Sequence, residues 1–335
     1  MDREIILDAG EFSSALAASP VQTMHTSWGA VDVLDAHIHF FSHRFFSALA
    51  QQKSELTPDC PAPSPESLTA SLGWEVPPVN PETLAGRWVK ELDRCGVSRA
   101  VLIASIPGDE HSVATAVSIH PERFYGYFMV NPLSPHAAER VRTALARGSL
   151  HGMCLFPAMH RFSIQDERVR PVLEAAASHT GAVIFVHCGV LTVGVRAKLG
   201  LPSPFDMHFS NPIELHAVAL AFPHVRFVVP HFGAGYFREA LMLCDLCPNV
   251  YLDTSSSNSW MRYLNQPLGL EQIFRQALDV VGPGRLLFGS DSSFFPRGWQ
   301  AAIFHAQRQA LERIGISDGD ARRIFGTNLE ELFSA

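Results

Sequence analysis

The sequence predicts a (β/α)8 barrel, and three observations carry that prediction. Eight short apolar runs rich in Val, Ile, Leu and Phe recur along the chain, helix-like stretches of mixed polarity separate them, and 335 residues suit one such barrel with a few insertions. The runs are Val31–Phe40, Arg99–Ile106, Phe124–Asn131, Gly152–Phe156, Ala182–His187, Arg226–His231, Val250–Thr254 and Arg285–Gly289. Nearly continuous apolar runs of this length suit strands buried on both faces, as a parallel sheet requires. Between them lie the helix-like segments Glu82–Cys95, Pro135–Arg147, Val169–His179, Pro212–Ala221, Tyr236–Leu246 and Leu270–Val280. Such alternation makes parallel β/α units. An open doubly wound sheet has a similar string, but eight units favour closure. Gln300–Ile314 and Asp318–Phe333 then supply the eighth helix and one more.

Two connections break the rhythm. Thr57–Pro81, after the first strand, holds seven of the 23 prolines and is too long for an ordinary loop, which makes it an active-site cover or a flexible insertion. Leu191–Asn211, after the fifth strand, is the second. In a parallel barrel both lie at the C-terminal face, where active sites form. Residues 1–30 carry no sustained period and are expected to be an N-terminal arm or a short helix on the body. The barrel is expected to occupy residues 31–335, with no linker dividing it.

Composition narrows the class. With 47% hydrophobic and 18% charged residues the chain can bury a large core. A net charge of −7, without any run of Lys and Arg, argues against nucleic acid as a partner. The N-terminus lacks a basic stretch followed by an apolar core, and nowhere do about 18 uncharged apolar residues run together, so neither a signal peptide nor a membrane span is expected. Six scattered cysteines suit a reducing compartment, and a cytoplasmic protein is the expectation. Cys244 and Cys247 are two residues short of a zinc set, so they are assigned to packing. No G-x-G-x-x-G, P-loop or G-x-S-x-G occurs, so nucleotide binding and a serine nucleophile lack support.

The chemistry sits at strand ends. His37 and His39 stand two apart near the end of the first strand, so both side chains take one face, the barrel interior. Two imidazoles in a dry core would leave polar nitrogens unsatisfied, whereas a divalent metal uses them. His187 closes the fifth apolar run, His231 the sixth, and Asp291 follows the eighth. A lone histidine at a strand end is more often structural, but four strands ending this way point to a site. Arg161, Arg196, Arg297 and His160 fall just beyond strands four, five and eight. Each is a candidate for binding a substrate carboxylate, although a solvated loop residue is the commoner role for each. Ser255, Ser256 and Asn258, after strand seven, could reach the mouth or cap a helix.

Taken together, Asp35-Ala36-His37-Ile38-His39, Val186-His187-Cys188-Gly189, Pro230-His231-Phe232-Gly233, Phe288-Gly289-Ser290-Asp291 and Ile324-Phe325-Gly326-Thr327-Asn328 resemble the amidohydrolase superfamily. The resemblance lies with its branch of mononuclear metal-dependent hydrolases and non-oxidative decarboxylases related to aminocarboxymuconate semialdehyde decarboxylase. It implies one divalent metal held by His37, His39, His187 and Asp291, with His231 and Asp291 as the catalytic acid/base groups. Binuclear members place a lysine on strand four. Here that strand reads Gly152-Met153-Cys154-Leu155-Phe156, which restricts the expectation to one metal, and Cys154 is assigned to packing.

Zinc is the first expectation for three histidines and a carboxylate, and manganese or iron also fit. The implied activity is hydrolysis of an ester, lactone or amide of a small organic acid by a metal-activated water, with a carboxylate-bearing substrate and a homodimer. The alternative is decarboxylation of an aromatic or unsaturated acid at the same site. Decarboxylases often carry a proline and tryptophan soon after the strand-five histidine, whereas Cys188-Gly189-Val190-Leu191 follows here, which favours hydrolysis. A non-catalytic binding barrel is the third reading, and the retention of every assignable ligand speaks against it.

Overall fold

The computed structural model describes residues 24–256 and 258–334. The chain opens on a hairpin, β1 (Met24–Thr26) and β2 (Gly29–Val31), antiparallel and with Trp28 buried. A hairpin therefore stands where residues 24–30 were expected to be an arm or helix, and residues 1–23 of that expectation lie outside the described residues. Eight parallel strands follow: β3 (Val33–Phe40), β4 (Val97–Ala104), β5 (Phe124–Val130), β6 (Gly152–Leu155), β7 (Val183–Val186), β8 (Arg226–Val229), β9 (Val250–Asp253) and β10 (Leu286–Leu287). Each neighbours the next in sequence order, and each lies on one of the eight apolar runs.

The helices are α1 (His43–Leu56), α2 (Pro65–Leu72), α3 (Pro81–Cys95), α4 (Glu110–Ile119), α5 (Ala137–Ala146), α6 (Pro157–His160), α7 (Arg170–Ala177), α8 (Gly194–Lys198), α9 (Leu215–Ala221), α10 (Phe237–Leu246), α11 (Leu270–Val280), α12 (Ala301–Ile314), α13 (Asp318–Arg322) and α14 (Asn328–Phe333). Expected segments became α3, α5, α7 and α9–α12. The helix expected over Asp318–Phe333 is present as α13 and α14, joined by a π-turn at Arg323–Thr327 with helical dihedrals at its junctions. Of the three helices between β3 and β4, α1 begins at the N-cap Ser42, and α2, inside Thr57–Pro81, at a Ser64–Ser67 capping box with Pro65 in its first turn. The proline-rich stretch thus uses its prolines and serines to start a helix. Among the described residues no helix is long and apolar enough to cross a membrane.

The core has two layers. Alternate strand residues such as Ala100, Leu102, Phe124, Phe128, Ile184 and Phe227 pack outward against the helices. Their neighbours Val101, Ile103, Tyr125, Tyr127, Met129, Cys154, Phe185 and Val228 fill the barrel, which α14 plugs at its base with Leu329 and Leu332. On β3 this alternation changes phase. Leu34 and Ala36 belong to the inner layer, whereas Ile38 and Phe40 belong to the outer one, because an extra residue is inserted between Asp35 and Ile38 relative to β4. That bulge turns His37 and His39 inward.

Gly152 permits the close approach of β6 to its neighbours. A Cβ there would lie 2.4 Å from the Val183 carbonyl oxygen and 2.8 Å from the Tyr127 ring. Gly152→Ala is expected to destabilise by about 2–3 kcal/mol through overpacking, read as a lower urea midpoint at unchanged slope. Gly86, within α3, has nothing within 4 Å of an added Cβ. Gly86→Ala should stabilise by about 0.5–1 kcal/mol through helix propensity. Equal midpoints for both variants would contradict this packing.

Candidate metal centre

Between β10 and β3 the barrel closes through irregular backbone. Ala36 donates to the Phe288 carbonyl (2.8 Å), Asp291 to the His37 carbonyl (2.9 Å) and His39 to the Ser292 carbonyl (2.8 Å). Asp35 clamps the same seam. Its fully buried carboxylate accepts from the His37 amide (2.8 Å), the Ser290 amide (3.0 Å), the Trp299 indole (2.7 Å) and the Ser290 hydroxyl. Burial lifts its pKa to about 6 against the pull of these donors. Asp291 has a left-handed backbone (φ 58°), and its carbonyl is held by Gln300 Nε2 at 2.8 Å. His231 is also left-handed, at φ 57°. Such conformations cost about 1–3 kcal/mol for ordinary residues and cluster where a side chain must be aimed.

Each histidine of the pair is oriented from behind. His37 Nδ1 donates to Asp253 Oδ2 at 2.6 Å. His39 Nδ1 lies 2.8 Å from Ser105 Oγ, whose hydroxyl donates to the Ile103 carbonyl and so accepts from the imidazole. Both Nε2 atoms are thereby left as lone-pair donors. They face each other at 3.3 Å, with Asp291 Oδ1 at 3.7 and 3.6 Å. These three atoms form a cluster able to hold a metal ion. Converging lone pairs and a carboxylate repel unless a cation sits among them. Two ligands bound at about 2.05 Å with tetrahedral angles stand about 3.3 Å apart, which is the observed spacing. The donor set fits a divalent metal.

Electrostatics agree. Burial disfavours charge on His37, but Asp253, through its charge and its hydrogen bond, outweighs burial and raises the pKa. His39 is held well below its usual value by burial and then by the neighbouring imidazoles. His187 is shifted the same way by burial, His231 and His37. Asp253 thus favours positive charge on the His37 ring, while burial disfavours it on His39 and His187.

His187 lines the same cavity, stacks on Phe156 at 5.4 Å and meets His231 edge-on at 5.3 Å. Its Nδ1 is buried and, among the described residues, has no hydrogen-bond partner. His231 lies 5.0 Å from the His37 ring. Its Nδ1 contacts Ser255 Oγ (2.9 Å) and the Ser255 carbonyl (3.3 Å). The carbonyl can only accept, which favours Nδ1–H and leaves Nε2 as the free base.

The remaining candidates separate. Arg297 lines the cavity, donates to Ser293 Oγ at 2.7 Å and lies over the Phe294 ring at 4.4 Å. His160 also lines it. Arg196 does too, but its guanidinium is tied to Pro202 O and Gln52 Oε1. Arg161 is not among the residues that line the cavity. It ends α6 in a left-handed turn (φ 55°), and its Nε donates at 3.0 Å to the carbonyl of Pro204, itself a wall residue.

Asp253 was overlooked, although it is a polar residue at the end of a barrel strand and so carries the signal used for the histidines. Ser255 was left between mouth and cap, and it is in fact buried between His37 and His231. Ser105 and Gln300 had no sequence signal, because their roles depend on long-range pairing. The Thr57–Pro81 segment supplies Trp74 to the cavity wall, where it stacks on Phe294 at 3.6 Å. Cys154 is fully buried in the inner layer, and burial pushes its thiol up.

The family model described as "Amidohydrolase" matches residues 34–334. The chain belongs to the amidohydrolase family. Its members are metal-dependent enzymes and include hydrolases and decarboxylases. Protein fluG of Emericella nidulans is 36% identical over 191 residues, a match that takes in 56% of this chain and 20% of that protein. The chain thus corresponds to a fifth of that relative's length. The 5-carboxyvanillate decarboxylase of Novosphingobium aromaticivorans, solved with manganese and 3-methoxy-4-hydroxy-5-nitrobenzoic acid, has a TM-score of 0.63 at 15% identity, covering 94% of this chain and 100% of that one. A probable 2-pyrone-4,6-dicarboxylic acid hydrolase of Acinetobacter baumannii, solved with citric acid, has a TM-score of 0.57 at 15% identity, covering 91% of this chain and 100% of that one. At such identity these two likenesses speak to the barrel alone.

Because Asp253 fixes the His37 tautomer, Asp253→Asn is expected to lower affinity for added Zn2+ or Mn2+ about 10–100-fold while circular dichroism stays unchanged. Unaltered metal affinity in a titration would remove Asp253 from the centre.

Proposed function

We propose that this protein is a metal-dependent hydrolase cleaving an ester, lactone or amide bond of a carboxylate-bearing organic acid. The observation that carries the reading is the convergence of His37 Nε2, His39 Nε2 and Asp291 Oδ1 at the floor of an open cavity, with His231 beside them. His187 would complete the set of ligands from β7, its unpartnered nitrogen being consistent with a role still to be filled. When bound, the metal polarises a carbonyl and brings water toward deprotonation near neutral pH.

The chain's own groups divide the remaining work. Asp291, with its side chain 34% exposed, has a second carboxylate oxygen able to take a proton from attacking water. His231, neutral because burial and then His37 lower its pKa, receives at Nε2 the proton that Asp291 takes from water and delivers it to the leaving group. Arg297 offers its fork to the substrate carboxylate. Phe41, Trp74, Phe156 and Phe294 keep water from the acyl portion. Zinc is the metal we favour, with manganese or iron as substitutes.

Decarboxylation of an aromatic or unsaturated acid is the second reading, and one observation favours it. The wall is rich in aromatic rings, and Arg297 sits beside Asp291, where a departing carboxylate would lie.

His37→Ala is expected to lose bound metal and activity together, measured by elemental analysis and turnover. His231→Asn should keep the metal and lower kcat about 10²–10⁴-fold. An empty site in His231→Asn would make His231 a ligand and end this division of labour. Assayed against lactones and esters alongside hydroxybenzoates, the protein should release acid without CO2. CO2 from the acids, with lactones untouched, selects the decarboxylase. Protein that binds no metal and is indifferent to Zn2+, Mn2+ and Fe2+ would defeat both.

A further inference from the structure

The outside of the barrel is covered by helices, and most of them turn charge to solvent. α7 exposes Arg170 and Glu174, and α11 exposes Arg275 and Asp279. The two helices between them, α9 and α10, break this rule. They lie side by side because β7 and β8, which they follow, are neighbours in the sheet, and the turn Pro212–Glu214 before α9 packs along α10. α9 turns Leu215, Val218 and Ala219 inward. The outward positions of this segment are Ile213, Ala217, Leu220 and Ala221, and none of them is polar. A helix that is apolar all round is normally one with cover on both sides.

α10 continues the patch. Its Met242 and Leu246 are 50% and 60% exposed, and Leu220 on α9 is 57% exposed. Four of the ten large apolar side chains exposed among the described residues, Ile213, Leu220, Met242 and Leu246, therefore fall on this one pair of helices. Single exposed apolar residues are ordinary, whereas a contiguous patch with a polar rim marks a surface that meets another molecule. The rim carries opposite charges at its two ends. Arg238, paired with its neighbour Glu239, opens the outward face of α10, and Asp245 stands exposed seven residues on, about 10.5 Å along the axis. Positions 238, 242 and 245 share one side of the helix. Met242 thus lies midway between a cation and an anion.

We propose that this face is the contact between two copies of the chain, related by a two-fold axis that passes close to Met242. Such an axis sets α10 antiparallel to its counterpart, so that Arg238 of each copy meets Asp245 of the other while Met242 meets Met242. One patch supplies both halves of each ion pair, as an isologous interface requires. The pattern complements itself, with apolar centre against apolar centre and each charged end against its opposite. That self-complementarity selects a second copy over a lipid surface or an unlike protein. The homodimer expected from the sequence had no surface assigned to it, and the inference does not depend on the reaction in the cavity.

Sedimentation equilibrium on the full chain tests it. The protein is expected to dimerise with a Kd of about 10 μM or tighter. Leu220→Glu combined with Leu246→Glu, both at exposed positions, should raise that Kd about 100-fold or more with circular dichroism unchanged. Arg238→Glu and Asp245→Arg, each alone, place like charges opposite one another and should raise it about tenfold. The two together should return it to within about threefold of the parent value. These charge variants carry the test if the leucine variant does not fold. A protein that stays monomeric up to about 100 μM overturns the proposal, and its binding to phosphatidylcholine vesicles would then assign the face to a lipid surface. A dimer indifferent to the leucine and charge variants overturns it as well, since the contact then lies elsewhere. Single reversals that weaken the dimer without rescue by the double variant would refute the two-fold pairing.

Discussion

Everything at the mouth of this barrel hangs on how its first and last strands are joined. β10 is two residues long and forms its ladder with β9 only, so closure against β3 falls to three backbone hydrogen bonds and the Asp35 carboxylate. Those contacts involve the backbones of His37, His39 and Asp291 themselves. The seam that seals the barrel and the seam that sets the ligand spacing are one structure. A carboxylate buried at such a joint must have its lone pairs met, and here two amides, an indole and a hydroxyl meet them.

Behind the ligands, orientation comes from groups outside the proposed ligand set. Asp253 and Ser105 fix which nitrogen of each imidazole carries hydrogen, and Ser255 links His37 to His231. Gly289 lets these pieces approach, since a Cβ there would stand 2.7 Å from Asp253 Oδ1 and 3.0 Å from the His37 Cβ. The ligand geometry is thus held by strands, while the loops after β3, β7 and β10 furnish the walls. Trp74 on Phe294, with Lys198 and Arg297 lying over the two rings, ties those three loops together around the entrance.

Much of this was legible in the sequence. Each barrel strand is a buried apolar run whose signal is local, and α3 and α11 follow the amphipathic period over many residues. α1 and α4 were not among the expected helices, although Phe45, Phe46, Leu49 and Ala50 in α1 and Val113, Ala116 and Val117 in α4 recur at helical spacing. At the site, residue type at a strand end was enough to single out His37, His39 and Asp291, whose ligand atoms the fold brings together. Asp253 bears the same signal, but it lies fully buried behind His37, a placement that only the fold reveals. The local contacts of Arg161 and Arg196 were not legible from position. Proximity to a strand end says nothing about a left-handed turn at one, or about two carbonyl-type partners holding the other.

The inserted residue in β3 acts as a phase shift. Below it, the strand's inward positions are Leu34 and Ala36, committed to hydrocarbon, and above it they are His37 and His39, committed to polar chemistry. A regular strand of the same sequence would have to give one of these sets to the helices. One added residue therefore lets a single strand serve two environments, so that its lower half can drift in sequence as oil does while its upper half stays answerable to charge.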